Sequence, residues 1–161
     1  MELDRIDHRI LMELEANARI THSDLAGRVG LSSTAVARRQ TALEQAGYIQ
    51  GYRAVLNLNE FGLGTTVLVR IALESQSDEA LKAFEAGVLK CPSILRCFLM
   101  SGSDDYLALV VARDIEDYEN IHRNQLSRLP RVARLQSSFA LREVVNRSVP
   151  PILFDQRPKA R

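Results

Sequence analysis

Apolar residues in the first third of the chain recur every three or four positions. Leu3, Ile6, Ile10, Leu11 and Leu14 have charged residues between them, which predicts an amphipathic helix. The next segment, THSDLAGRVG, predicts a second helix. Thr21 is its N-cap, and Asp24 stands three residues on, where a capping box places its acid. Gly30 sits where a helix stops in the left-handed conformation. A third helix then starts, capped by Ser32 or Ser33. It runs through Val36 and Leu43 to Ala46 and ends at Gly47. After it the period changes. YIQGYRAVLN is β-rich with a central Gly and predicts a short strand pair, or wing. NLNEFGLG supplies two Asn and two Gly in eight positions, and the domain boundary is placed there.

The second part alternates strand and helix signals. TTVLVRIAL predicts a strand. Ser77 caps SDEALKAFEAGVLK, a helix with Leu81, Phe84, Val88 and Leu89 on one face, broken by Cys91-Pro92. SILRCFLM is a strand, SGSDD a tight turn and YLALVVA the returning strand. Asp114 caps IEDYENIHRNQLSRL, with Ile115, Tyr118, Ile121, Leu126 and Leu129 facing inward, and Pro130 ends it. RVARLQSSFALREVV is the last strand. The order is βαββαβ, a ferredoxin-like arrangement. Two helices cover one face of such a sheet, and a homodimer partner is the simple cover for the other. From Val149 the chain holds three Pro and ends RPKAR, which predicts a mobile tail over 150–161.

Composition then narrows the function classes. The 161 residues carry 21 Lys and Arg against 20 Asp and Glu, a net charge of +1. Bulk charge therefore excludes a protein that coats nucleic acid by attraction alone. The longest stretches free of charge are nine residues (29–37 and 61–69), short of the roughly 18 that a membrane helix needs. The opening MELDRIDHRI has no apolar core of a signal peptide, and two cysteines make no disulfide framework. A cytoplasmic setting without membrane contact is expected.

The sharpest local signal is LAGRVGLSSTAVARRQTAL. Two helices crossing steeply through a short turn need a small residue at Ala26, a residue tolerating positive φ at Gly30 and an apolar plug at Val36. Leu25, Val29, Leu31 and Leu43 must be apolar to hold the pair on the first helix, and they are. An ordinary helical hairpin would satisfy part of this pattern. If the motif is a helix-turn-helix over about 22–41, Thr34, Ala37, Arg38 and Thr41 share the outer face of its second helix. The Arg38 fork suits a guanine edge. Ser32, Ser33 and Thr34 stand at the helix N-terminus, where hydroxyls and N–H groups hold phosphate. Arg39 either reaches a phosphate or lies over the core. Arg28 and Arg53 suit phosphate contact and solvated surface equally. From Leu25 to Arg53, four Arg face Glu44 alone, a local excess of +3.

These residues resemble the DNA-binding domain of the Lrp/AsnC (leucine-responsive, feast/famine) regulators. The opening LDRIDHRIL, the LAGRVGLS core, the Arg38-Arg39 pair and the AGYIQGY closing segment carry the likeness. The second half resembles that family's RAM domain through GSDDY (Gly102 to Tyr106) and RLPRV (Arg128 to Val132). The resemblance covers about 3–149. It implies an α+β chain, with a winged helix-turn-helix domain and its linker over 3–64 and a βαββαβ ferredoxin-like (RAM) domain over 65–149. It also implies a transcription regulator that binds double-stranded DNA, dimerises through its RAM sheets and assembles into tetramers or octamers. No cofactor is implied, but a small amino-acid effector is. By position its contacts would be Gly102, Asp104, Asp105 and Tyr106 in the turn and Gln136, Ser137 and Ser138 in the last strand. A carboxylate such as Asp105 can pair with an α-ammonium group, although Gly-Ser-Asp-Asp is also a good hairpin turn without a ligand.

Catalysis is not expected. Asp104 and Asp105 are adjacent and diverge on a strand, and the three His are far apart and outside any metal-ligand spacing. The alternative reading is an amino-acid-sensing module that acts on a protein partner, which would leave the helix-turn-helix half without a task.

Overall fold

A computed structural model of the chain describes residues 1–154. It divides into two compact units, one of residues 1–55 with the segment from 145 onward, the other Leu56–Val144.

The first unit holds helices α1 (Arg5–Ala16), α2 (His22–Val29) and α3 (Ser33–Gln45). Each starts at a side-chain cap, expected from the sequence for α2 and α3 but not for α1. Thr21 accepts from the Asp24 N–H, and Ser32 accepts from the Ala35 N–H. Asp4 caps α1 in a full capping box with Asp7. Gly30 takes φ +77°, and its N–H and that of Leu31 both return to the Ala26 carbonyl, at 2.9 and 3.1 Å. That sharp stop turns α3 steeply across α2. Ile10, Leu14, Leu25, Ala26, Val29, Val36 and Leu43 close into one buried cluster.

The expected wing does not form. Residues 50–57 run without a strand ladder, and Val55 and Leu56 are exposed. A strand needs a neighbouring edge, and among the described residues no backbone group hydrogen-bonds to the backbone of residues 50–56.

In the second unit β1 (Thr65–Leu73), β2 (Ile94–Leu99), β3 (Tyr106–Ala112) and β4 (Val132–Phe139) form one antiparallel sheet in the order β2-β3-β1-β4. Helices α4 (Asp78–Val88) and α5 (Ile115–Asn124) complete βαββαβ. Val67, Val69 and Ile71 of β1 and Tyr106, Ala108 and Val110 of β3 share the main cluster with Phe84 and Tyr118 of the helices. Phe84 and Tyr106 stack with ring centroids 4.4 Å apart. A Cβ at Gly87 of α4 would lie 2.7 Å from the Pro130 ring, so only glycine lets α4 sit that close. The alternate residues Leu68 and Arg70 of β1 and Leu107 and Leu109 of β3 point to the other face of the sheet, and Leu68 and Arg70 are exposed.

Three expectations need correction. Leu89 and Ile115 do not face inward but lie 88% and 66% exposed, because each sits at a helix end that has left the sheet. The last helix stops at Asn124 and tightens into a 3-10 turn over Leu126–Arg128, which still buries Leu126. The final strand ends at Phe139, where its pairing with β1 runs out at Val67. Within the expected tail, Pro151–Leu153 form a 3-10 turn, while residues 155–161 lie outside the described residues.

Candidate nucleic-acid interface and effector site

On α3 the exposed residues Thr34, Arg38 and Thr41 lie on one side, as the spacing requires, with Ser33 exposed at the helix N-terminus. Gln45, exposed one turn beyond the expected face, extends the stripe, since 34, 38, 41 and 45 step by four, three and four. Ala37 is half-buried beside it. The Ser32 hydroxyl is engaged in capping, at 3.2 Å from the Ala35 N–H.

The arginines sort sharply. Arg39 is not part of the exposed stripe: its Nη1 donates to Asp4 Oδ2 at 2.8 Å and Asp7 Oδ1 at 2.7 Å, tying α3 to the cap of α1. Those two carboxylates, Asp7 first, raise its pKa above the usual guanidinium value. Arg28 pairs with Glu13 at 2.6 Å, and its carbonyl accepts from Arg9. Arg53 stands exposed on the extended stretch beyond α3. Among the described residues, Arg38 and Arg53 are the two of the four that form no ion pair. The local +3 excess is therefore narrower than it reads, and Arg38 is the cation set on the outer face.

The effector candidates divide by sheet face. Gly102 takes φ +136° in the exposed turn between β2 and β3. Asp104 follows it and accepts from Arg134 of β4 at 3.1 Å. Gln136 and Ser138 stand opposite Arg70 and Leu68, on the sheet face away from the helices. Asp105 does not present its carboxylate to that face. It is buried, and its oxygens accept from the Leu73 N–H and from Gln76 Nε2, both at 2.7 Å. Tyr106 is buried under α4, and its hydroxyl donates to Glu85 at 2.8 Å. Burial first, then the Glu85 carboxylate, raise its pKa well above the usual phenol value. Ser137 faces α5, sharing a hydrogen bond with the Tyr118 hydroxyl. Of seven expected contacts, Gly102 and Asp104 stay in the turn, with Asp104 paired to Arg134, Gln136 and Ser138 lie on the sheet face away from the helices, and Asp105, Tyr106 and Ser137 turn into the fold. Strand alternation could have separated Ser137 from its neighbours; nothing local marks Asp105 as a receiver of the Leu73 N–H.

Two family models match the chain: "Winged helix-turn-helix DNA-binding" over residues 3–50 and "Lrp/AsnC ligand binding domain" over residues 66–150. The Bkd operon transcriptional regulator of Pseudomonas aeruginosa is 41% identical over 151 residues, 94% of this chain and 99% of that protein. The proline dehydrogenase transcriptional activator of Rhodobacter capsulatus is 41% identical, over 93% of this chain and 97% of its own. A transcriptional regulator of Neisseria meningitidis, solved in complex with L-Met, superposes with a TM-score of 0.87 at 32% identity, covering 93% of this chain and 97% of that one. The chain belongs to the Lrp/AsnC family of transcriptional regulators, with a helix-turn-helix DNA-binding domain followed by a ligand-binding domain.

Proposed function

We propose that the chain is a cytoplasmic, amino-acid-responsive regulator that reads a pseudo-palindromic operator as a homodimer. The single observation that carries the DNA half is the bare stripe on α3. Thr34, Arg38, Thr41 and Gln45 face outward while the neighbouring Arg39 is held by α1. Arg38 is the base-reading cation, Thr34, Thr41 and Gln45 line the same groove, and Ser33 with the α3 N-terminus takes a phosphate. Arg28 and Arg53 flank it as phosphate contacts. Residues 3–64 are the DNA-binding half with its linker, and residues 65–149 the sensing half.

The effector is a free amino acid, as the L-Met complex of the Neisseria relative suggests. It lies beside Gly102, Asp104, Gln136 and Ser138. Asp104 offers a carboxylate to an α-ammonium group, and Arg134 a guanidinium to a carboxylate. The exposed sheet face, with Leu68 and Phe98 beside Leu107 and Leu109, packs on the same face of a second copy. Dimers then assemble into tetramers or octamers, and repeated contacts give occupancy through avidity.

Two measurements test this. The purified protein should shift its own promoter fragment, with affinity falling steeply as salt rises. The absence of a salt-sensitive shift would leave the rival reading, a sensor acting on a protein partner. A panel of the twenty amino acids should change melting temperature, assembly or DNA affinity for at least one member. A flat panel removes the effector.

A further inference from the structure

The four strands contain no Asp or Glu, and their three arginines, Arg70, Arg96 and Arg134, all lie exposed on the sheet face away from the helices. At one corner of that face stands an acid, Asp104, in the turn before β3. Its Oδ1 accepts from Arg134 Nη2 at 3.1 Å. Glu74, just past β1, lies 3.8 Å from Arg131 instead. Arg70 belongs to the same corner, whereas Arg96 stands two strands away, opposite Leu109. The register sets Ala72 opposite Arg134 and Arg70 opposite Gln136. Arg70 and Arg134 are therefore diagonal neighbours on adjacent strands, about 7–8 Å apart at the backbone and within reach of each other's long side chains. Ala72, one strand step from Arg70, carries only a methyl group and leaves room above the sheet. Two guanidiniums and one carboxylate give the corner one positive charge in surplus. Among the described residues of this unit, no carboxylate lies within ion-pair distance of Arg70. The Asp104–Arg134 pair matches the ammonium and α-carboxylate of a free amino acid. Arg70, with the Gln136 amide beside it, then faces that molecule's side chain.

We propose that this corner selects an α-amino dicarboxylate, an effector of the aspartate or glutamate type. Its ammonium sits on Asp104, its α-carboxylate on Arg134 and its side-chain carboxylate on Arg70, with the Gln136 amide donating beside it. Such a molecule carries one net negative charge and cancels the surplus of the corner. An apolar side chain in the same place would press on a guanidinium and strip its water without replacing it. An amide side chain fits the space but brings no charge, and a bond between two charges is roughly twice as strong as a neutral one. The inference rests on the amino-acid-effector reading above and names the class of that effector, which differs from the L-Met held by the Neisseria relative.

The test titrates the full chain by calorimetry with L-Glu, L-Asp, their amides L-Gln and L-Asn, L-Leu, L-Met and 2-oxoglutarate. The better of the two acids should bind about tenfold tighter than its own amide, and tighter still than L-Leu or L-Met. Arg70→Gln should bring that ratio to about threefold or less while leaving the affinity for the amide within about twofold. Arg70→Lys keeps the charge and should keep most of the preference. Arg134→Ala should weaken acid and amide alike, because both carry the α-carboxylate. 2-Oxoglutarate has no ammonium group and should bind about tenfold weaker than L-Glu, a gap that Asp104→Asn should narrow. Arg70 is exposed, so melting of the ligand-free variants should match the wild type. A neutral amino acid that binds as tightly as the acids overturns the proposal and leaves the effector reading standing. An acid-to-amide ratio unchanged by Arg70→Gln overturns it too. So does a loss of dimer in Arg70→Gln by sedimentation with that ratio intact, which would place Arg70 against a second copy. 2-Oxoglutarate binding as tightly as L-Glu removes the ammonium from Asp104 and overturns the amino part of the assignment. If none of the twenty amino acids binds, the effector reading itself fails, and the proposal with it.

Discussion

The helix-turn-helix unit gathers seven buried apolar residues in its cluster, whereas the sheet unit gathers thirteen, among them Phe84, Tyr106 and Tyr118. The smaller cluster has no aromatic ring, and its edges are held by polar braces: Arg39 to Asp4 and Asp7, Arg28 to Glu13, Tyr52 to Glu44. In the sheet unit, buried apolar area carries the fold, and its polar contacts at Asp105 and Ser137 complete backbone or core bonding. The difference teaches how to read a charge. In the small unit Arg28 and Arg39 are tied to carboxylates, and of the two adjacent arginines on α3 only Arg38 forms no ion pair among the described residues.

The largest expected effect tests the bigger core. Phe84 is fully buried and stacked on Tyr106, so Phe84→Ala should cost about 3–5 kcal/mol, enough to unfold the sheet unit. Calorimetry should show its transition lost or strongly lowered. A cost under about 1 kcal/mol would mean that the sheet does not depend on this cluster.

The next effect separates the two adjacent arginines on the axis of function. Arg38→Ala should leave the melting temperature within the small range of surface changes. It should weaken operator binding by about 1–3 kcal/mol and relax preference at one base position. Equal loss on every sequence would make Arg38 a phosphate contact instead.

Arg39→Ala should do the reverse. It removes two charge-assisted bonds, and Asp7 is left nearly buried without its cation. Because Arg39 and Asp4 are partly exposed, water screens the loss, and about 1–2 kcal/mol of stability is expected. Base preference should not change. If Arg39→Ala relaxes sequence preference with unchanged melting, the assignment of the two arginines is inverted.

Much of this contrast is legible in the sequence where its cause is local. Caps at Thr21, Ser77 and Asp114 and the stop at Gly30 each depend on a few neighbouring residues, and all four stand where the pattern puts them. The βαββαβ order follows from apolar period, which is also local. What sequence misses is partnership across distance. Arg39 and Asp4 are 35 residues apart, and Asp105 reaches Leu73 across 32. The wing fails for the same reason, since a strand's existence depends on an edge that the stretch itself does not contain. Asp4 and Asp7 could have been found: an Asp at the N-cap with an acid three residues on is a capping pattern, and the arginine is what a doubled carboxylate at that cap would attract.

The smallest effect, a pH dependence, examines the brace from its acidic side. The Asp7 N–H first, and then Arg39, hold the Asp4 carboxyl below its ordinary 3.8. A carboxyl depressed in the folded state binds its proton less readily than in the unfolded chain. Its stabilising contribution is therefore complete above the ordinary pKa and is lost as pH falls through the folded one. Asp4→Asn keeps a capping oxygen but has no charge to lose. The wild type should thus melt above Asp4→Asn at about pH 6, and the gap should narrow as pH falls below the ordinary 3.8. A gap independent of pH would mean that Asp4 acts only as a cap, and Asp7 alone would then hold Arg39 against α1. In the sheet unit Asp117 is depressed by Arg113 in the same direction, so the melting point of the whole chain falls in acid with or without Asp4. Only the difference between wild type and variant isolates the brace, which is why this weak effect still separates the small unit's polar support from the sheet's.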